Sequence, residues 1–167
     1  PWSNGSSRPT KAASGWSLRR GRDANSLSPS PLVPLSELMA KILIVDDERS
    51  IRELFKFIFE DAGHTVLLAD TGLAALEVIE GVVPDFIVTD LAMPEMSGQE
   101  FILELGRRAR RRPELGNIPY VVMTGENFME AEMNKDFGST AGFLCFFPKM
   151  TPPEIVLEKA EAALKAV

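Results

Sequence analysis

The sequence predicts an α/β fold in which five βα units build one parallel sheet. Two observations support this prediction. From residue 41 onward, short apolar runs alternate with segments whose apolar residues recur at helical spacing, which is the pattern of consecutive βα units. Turn and helix-capping residues separate these segments, and right-handed crossovers are expected between successive parallel strands.

The first two βα units are predicted between residues 41 and 81. Strand one is expected at 41–45, and Gly63 is expected to stop the helix that follows it. The apolar residues of that helix are Ile51, Leu54, Phe55, Ile58 and Ala62. Strand two is expected at 64–69, and Thr71 is expected to cap a second helix that runs to about Gly81.

The remaining three units follow the same pattern. Strand three is expected from Pro84 to Thr89, and Ser97 and Glu100 have the spacing of a capping box for helix three. The apolar face of helix three is Phe101, Ile102 and Leu105. Strands four and five are expected at 118–123 and 143–147, with a helix at 127–137 between them. Thr151 and Glu154 suggest a second capping box, with proline in the first turn of a last helix.

Composition and charge exclude several classes of protein. A hydrophobic content of 45% and a charged content of 25% are typical of a soluble globular domain. No apolar run approaches the ~20 residues that span a bilayer, and the single cysteine fits a reducing, cytoplasmic compartment. Residues 1–38 hold five of the 18 basic and two of the 24 acidic residues, so residues 39–167 carry a net charge of −9. Such an acidic domain is not expected to bind nucleic acid directly.

Two regions differ in composition. Residues 1–38 are rich in Ser, Pro, Gly, Asn and Arg without apolar periodicity, which predicts a disordered N-terminal extension. Because Met39 precedes strand one almost directly, we hypothesise that it is the natural start and that the extension is a cloning or start-site artefact. Residues 39–167 are predicted to form one domain.

Polar residues follow four of the predicted strands. They are Asp46 and Asp47, Asp90, Thr124 and Lys149. Because the carboxyl ends of parallel strands share one edge of a sheet, these side chains are expected to converge there. Three carboxylates, a hydroxyl and an ammonium suit a hard divalent cation together with a phosphoryl group.

Each of these residues also has a simpler interpretation. Asp46 and Asp47 could bind Mg²⁺ through their oxygens or form a solvated acidic turn. Asp90 could be a nucleophile that forms an acyl phosphate, or a metal ligand without a covalent role. Thr124 and Lys149 could donate to a phosphoryl group or lie at strand ends without function. The conjunction at the strand ends favours the functional interpretation.

These motifs resemble the receiver domain of two-component response regulators over residues 40–167. The similar segments are 44–48, 90–98, 124–126 and Lys149. The resemblance implies a doubly wound, flavodoxin-like sheet of five parallel strands in the order 2-1-3-4-5. It implies that Asp90 is the phosphoacceptor and that Asp46, Asp47, Asp90 and the backbone carbonyl of Ala92 bind Mg²⁺. It also implies that Thr124 and Phe146 are switch residues and that Lys149 contacts the phosphoryl group.

The resemblance further implies a stand-alone bacterial signalling protein rather than an enzyme. A histidine kinase or a histidine phosphotransfer protein would phosphorylate Asp90. The face formed by the helix at 127–137, strand five and the last helix would then change and bind a downstream protein effector. A monomer or a phosphorylation-dependent dimer is expected, without nucleic acid or membrane as a partner.

Two departures from the family pattern leave alternatives open. Met150 follows Lys149, where the family has a cis proline; a non-proline cis bond costs ~3 kcal/mol, so a trans bond is expected. Ala92 stands two residues after Asp90, where a polar side chain could position water, so the phosphoryl lifetime is expected to differ. A pseudo-receiver that only binds partners is one alternative. A Mg²⁺-dependent phosphatase is the other, although Ala92 lacks the acid that such enzymes typically place there.

One basic segment has no part in this site. Five arginines lie between residues 107 and 112, at the end of helix three. Cations at this end of a helix favourably oppose the helix dipole. The segment is expected at the edge opposite the strand ends that carry the acids, and it is interpreted as a solvated helix end rather than an anion site.

Overall fold

The computed structural model describes residues 39–125 and 137–167. Its strands are β1 Lys41–Val45, β2 Thr65–Ala69, β3 Phe86–Asp90, β4 Tyr120–Thr124 and β5 Phe143–Pro148. Its helices are α1 Arg49–Asp61, α2 Gly72–Gly81, α3 Gly98–Arg108 and the C-terminal helix Pro153–Lys165, with a 3₁₀ turn at Pro113–Leu115. The predicted extension at 1–38 lies outside the described residues, as does the helix predicted at 127–137 except for Phe137.

The five strands form one parallel sheet in the order β2-β1-β3-β4-β5, which confirms the predicted fold class. Because neighbouring residues of a strand point to opposite faces, alternate residues enter two separate cores. In β1, Ile42 and Ile44 pack on one face with Phe55 and Phe59 of α1. Leu43 packs on the other face, where α2 and α3 supply the covering side chains. The described helices therefore cover both faces of the sheet.

Two predicted helix caps are confirmed. The Thr71 hydroxyl accepts a hydrogen bond of 3.1 Å from the Ala74 N–H. Ser97 and Glu100 form the reciprocal capping box at the start of α3. The second predicted capping box is wrong. The C-terminal helix is preceded by Pro152 as its N-cap, without a side-chain cap, because the first helical residue is Pro153 and Thr151 lies one position too early.

Other boundaries and one helix face are corrected. Strand β2 begins at Thr65 because the His64 N–H still donates to the Phe59 carbonyl of α1 rather than to a neighbouring strand. Strand β4 covers 120–124 rather than 118–123, since Pro119 cannot donate to the ladder. In α1, Phe55 and Phe59 are buried one turn apart, whereas Leu54 is 46% exposed and Ala62 lies beyond the last turn. None of the described helices combines the length and apolarity that crossing a bilayer requires.

Candidate functional site

Lys149 brings the ends of three strands together. Its Nζ lies 2.8 Å from Asp90 Oδ2, which ends β3, and 3.6 Å from Asp46 Oδ2, which follows β1. The same Nζ lies 3.1 Å from Glu48 Oε1. The predicted convergence of Asp46, Asp90 and Lys149 at one edge of the sheet is therefore present, with Glu48 as an additional partner of the ammonium.

Three consecutive acids form the turn between β1 and α1. One carboxylate oxygen of each of Asp46, Asp47 and Glu48 lies within 4.8 Å of the others. Asp46 is only 2% exposed, and its Oδ1 accepts a hydrogen bond of 2.8 Å from the Glu48 N–H. Arg52 Nη1 donates to the Asp46 carbonyl oxygen at 2.6 Å. These contacts fix Asp46 in place, whereas Asp47 and Glu48 face solvent.

Asp90 is held at the start of the loop that leads to α3. It is 1% exposed, and its Oδ1 accepts a hydrogen bond of 3.3 Å from the Ala92 N–H. The Gly98 N–H donates to the Leu91 carbonyl at 2.9 Å, and a Cβ at position 98 would collide with the Asp90 carbonyl. Glycine therefore allows α3 to begin directly against the end of β3, which fixes the backbone that carries Asp90.

Burial and charge set the protonation of the site in opposite directions. Burial, with a smaller effect of the Asp90 and Asp47 charges, raises the pKa of Asp46 to about 6. Burial also raises the pKa of Asp90, although Lys149 and the Ala92 N–H oppose that rise. Burial alone would lower the pKa of Lys149, but its contacts with Asp90, Glu48 and Asp46 outweigh this effect and raise it. The ammonium is therefore charged at neutral pH.

The acidic side of the site has the donors that a hard cation requires. Asp46 Oδ2 and Asp90 Oδ2 are buried and accept no hydrogen bond among the described residues; their approach to Lys149 is that of ion pairs rather than aligned hydrogen bonds. Buried carboxylates are costly unless cations neutralise them, and the one ammonium of Lys149 faces both Asp46 and Asp90, which leaves room for a further positive charge. The donors are all oxygens, and two of the three clustered acids are open to water, as Mg²⁺ coordination requires. The residues present therefore fit this ion.

The set of clustered acids differs from the set predicted for the metal. Glu48 joins Asp46 and Asp47 in the group, whereas Asp90 is connected to them through Lys149. Glu48 could have been predicted as a member of this cluster from the sequence, because it directly follows Asp46 and Asp47 in the same turn. The metal-binding roles of Asp46, Asp47, Asp90 and the Ala92 carbonyl stay predictions.

Thr124 and Phe146 occupy different positions relative to these acids. Thr124 is buried at the end of β4, and its carbonyl accepts a 2.7 Å hydrogen bond from the Lys149 N–H. The Phe146 ring packs 5.5 Å from the Phe137 ring and 4.9 Å from the Phe143 ring, between centroids. Thr124 thus adjoins the site through the backbone of Lys149, while Phe146 belongs to an aromatic cluster behind it. No peptide bond in the described segments is cis, so the bond before Met150 is trans, as expected.

This arrangement suits chemistry on an anionic group that approaches Asp90. A buried carboxylate is available at the sheet edge, an ammonium can neutralise negative oxygens, and an adjoining acidic turn can hold a divalent cation. Positioning and charge neutralisation are the requirements of phosphoryl transfer.

The sequence matches one family over most of its length. The family model for the response regulator receiver domain matches residues 42–159. A 14.6 kDa protein in the sodA1 3′ region of Leptolyngbya boryana is 33% identical over 112 residues, or 67% of this chain and 80% of that protein. The response regulator MprA of Mycobacterium ulcerans is 32% identical over 128 residues, or 77% of this chain and 51% of MprA. The chain thus spans only about half of this second relative.

A solved structure agrees with the sequence matches. The chemotaxis response regulator CheY4 of Vibrio cholerae is 30% identical, with a TM-score of 0.64 over 74% of this chain and 98% of CheY4. The receiver domain of the Francisella response regulator 1452 gives a TM-score of 0.62 at 23% identity, which supports the fold alone.

Proposed function

This chain belongs to the response regulator receiver domain family, and on that premise we propose that Asp90 is its phosphoacceptor. The donor would be a histidine kinase or a histidine phosphotransfer protein. In this proposal the protein is a signalling component that assists its own phosphorylation and dephosphorylation, rather than an enzyme with a separate substrate.

The observation that carries the proposal is the 2.8 Å ion pair between Lys149 and Asp90. An exposed lysine at a strand end would not need to bury its charge against two separate acids. Here the ammonium contacts Asp90 and Asp46, each almost fully buried, from the end of a third strand. Because buried charge clusters are costly to stability, their retention favours a functional role.

The reaction requires little from the protein beyond position and charge. One Asp90 carboxylate oxygen attacks the phosphorus of a phosphohistidine, and the P–N bond breaks with its electron pair leaving on the imidazole nitrogen. An acyl phosphate on Asp90 is the product. Lys149 favours the ionised form of Asp90 before the transfer and would neutralise a phosphoryl oxygen after it. Thr124, which is buried beside the Lys149 backbone, would donate its hydroxyl to another phosphoryl oxygen.

Asp46 and Asp47 would hold Mg²⁺ together with Asp90 and the Ala92 carbonyl. When bound, the ion supplies charge neutralisation for the transferred group. The support for this assignment is that the buried carboxylates of Asp46 and Asp90 share one ammonium, that of Lys149, so that one positive charge faces two negative charges.

The output of the switch would be a protein contact. A phosphoryl group on Asp90 would draw in Thr124 and Lys149, and Phe146 would turn with them. The face that contains β5 and the C-terminal helix would then favour a downstream protein effector. The aromatic packing of Phe146 on Phe137 and Phe143 supports this proposal, because movement of one ring requires the cluster to repack.

The test is incubation with acetyl phosphate and Mg²⁺, followed by intact-protein mass spectrometry. The wild type is expected to gain one phosphoryl group, and Asp90→Asn is expected to gain none. Asp61→Asn is the matched control, because Asp61 is an exposed acid at the far end of α1. Labelling of Asp90→Asn at the wild-type level would exclude Asp90 as the acceptor.

The same experiment separates the two alternatives. No labelling of the wild type at saturating Mg²⁺ would favour a pseudo-receiver that only binds partners. Multiple turnover of a small phosphate ester, abolished by Asp90→Asn, would favour a phosphatase. The protein is expected to be labelled without such turnover.

A further inference from the structure

The arginine segment at the end of α3 contains two classes of side chain. Arg108 and Arg112 are half-buried and paired, both with Glu80 of α2, and also with Glu104 and Glu114 respectively. Arg112 Nη1 also donates to the Ile79 carbonyl at 3.3 Å. These contacts join the ends of α2 and α3, so a structural role accounts for both arginines.

The other arginines of the segment are exposed and have little to neutralise them. Arg107 has one distant partner, Glu104, at 3.5 Å. Arg110 and Arg111 make no side-chain hydrogen bond or ion pair with any residue in the described part of the chain. Capping of the helix dipole requires no such cluster, since Arg107 and Arg108 already lie in the last turn.

Two cavities adjoin these exposed arginines. One, of about 420 Å³, has a floor that includes Leu105, Leu115 and Ile118, and Arg107 and Arg110 lie on its wall. The second, of about 400 Å³, is lined by Glu104 and four arginines, again including Arg107 and Arg110. Arg107 and Arg110 line both cavities, so an apolar cavity lies next to a basic one, and the pair is called the arginine groove below.

From this groove we propose a docking site for a short acidic segment of a partner protein that carries one large apolar side chain. The apolar side chain would occupy the first cavity, and the flanking carboxylates would pair with Arg107, Arg110 and Arg111. Guanidinium groups bind carboxylates in bidentate geometry, and a central apolar anchor with a charged rim is the usual anatomy of a recognition site.

Charge and shape favour this occupant over the other polyanions. The residues from 39 onward have a net charge of −9, so a long nucleic acid would extend from the groove onto acidic surface. A membrane surface would require several protruding apolar side chains, whereas Leu103, 46% exposed, is the one large exposed hydrophobic residue among those that line the two cavities. A short acidic segment, unlike a long nucleic acid, can contact the arginines without reaching the acidic surface around them.

The groove lies at the end of the sheet opposite Asp90. Tyr120, the first residue of β4, lines the apolar cavity, whereas Thr124, the last, adjoins Lys149. A strand of this length separates the two sites by roughly 13 Å. The two cavities contain none of the residues of the Asp90 site, so the docking site does not depend on the function proposed for Asp90.

The test is fluorescence anisotropy with the full chain and a labelled Glu-Glu-Phe-Glu-Glu peptide. Saturable binding that weakens between about 50 and about 200 mM NaCl is expected. Arg110→Glu/Arg111→Glu should weaken it at least tenfold, and Lys159→Glu/Lys165→Glu, with the same change in net charge, should leave it within about twofold. Asp90→Asn should bind as the wild type does.

Two further arms address the apolar half and the identity of the ligand. Gly106 lines the apolar cavity, and a Cβ there would meet nothing within 4 Å. Gly106→Leu should therefore keep the fold but weaken the phenylalanine peptide more than Glu-Glu-Gly-Glu-Glu. Absence of saturable peptide binding would overturn the proposal. It would also be overturned if single-stranded DNA or anionic phosphatidylserine vesicles bound more tightly than the peptide and lost that binding in Arg110→Glu/Arg111→Glu.

Discussion

At the scale of single residues, the site combines two buried carboxylates with one ammonium. Asp46 and Asp90 are each at most 2% exposed, and Lys149 Nζ lies within 3.6 Å of both. One positive charge cannot fully offset two buried negative charges. The site is therefore under electrostatic strain unless a proton or a further cation is present.

This strain gives a prediction for stability against pH. The pKa of Asp46 rises from 3.8 to about 6 on folding, mainly through burial. Between these pH values the folded state retains a proton that the unfolded state has lost, so stability falls as pH rises through this window. The loss attributable to Asp46 is at most about 3 kcal/mol and is complete above pH ~7. The measurement is the free energy of unfolding in urea, without Mg²⁺, as a function of pH. Asp46→Asn should remove the part of its pH dependence that is due to Asp46, while the part due to Asp90 remains.

Magnesium should act on the same carboxylate. Because the ion competes with the Asp46 proton, its affinity should rise with pH up to about 6 and level off above about 7. Isothermal titration calorimetry across this range, with Asp46→Asn as the comparison, measures the effect. A Mg²⁺ affinity that did not change between pH 5 and pH 7 would show that Asp46 does not bind the ion.

At the scale of elements, α3 is positioned by its first residue. Gly98 lies against the Asp90 carbonyl with no room for a Cβ, whereas Gly106 in the same helix has open space. Gly98→Ala is expected to cost about 2 kcal/mol or more, because the start of α3 must move. Gly106→Ala should stabilise by up to about 1 kcal/mol through helix propensity. Thermal unfolding of the two variants tests this contrast. Equal effects on stability would show that Gly98 does not determine how the start of α3 packs against the end of β3.

The helix caps provide a second matched pair. Ser97 accepts from the Glu100 N–H and belongs to a complete capping box, whereas Thr151 caps nothing in the structure. Ser97→Ala should therefore cost about 1 kcal/mol, and Thr151→Ala should leave the free energy of unfolding nearly unchanged. If Thr151→Ala lowered the free energy of unfolding as much as Ser97→Ala does, the predicted capping box at Thr151 would be supported after all.

These elements show which local signals were sufficient. The strands were predicted to within two residues because buried parallel strands are continuous apolar runs. The Thr71 and Ser97 caps followed from side chains that act within their own turn. Thr151 failed because two successive prolines decide where the C-terminal helix begins. Phe59 was missed and Leu54 wrongly included in the core face of α1, because helical spacing fixes a periodicity but not which side meets the sheet.

At the scale of the whole molecule, the parallel topology explains why the site was predictable. These site residues are distant in sequence, but each ends a strand or directly follows one, and all lie at one edge of the sheet: Asp46, Asp90, Thr124 and Lys149. The contact between Glu48 and Lys149 was not predictable, because it depends on a side-chain rotamer in an exposed turn. The division of the arginine segment into paired and unpaired side chains was not predictable either, because only the structure shows which arginines Glu80 and Glu104 neutralise.

The most direct measurement is an NMR titration with beryllofluoride and Mg²⁺, which together imitate a phosphorylated carboxylate. We expect stoichiometric shifts in the amides of Asp46, Ala92 and Thr124, followed by those of β5, and no such shifts in Asp90→Asn. Wild-type spectra that do not change with Mg²⁺ and beryllofluoride together, or shifts that persist in Asp90→Asn, would contradict Asp90 as the phosphoacceptor.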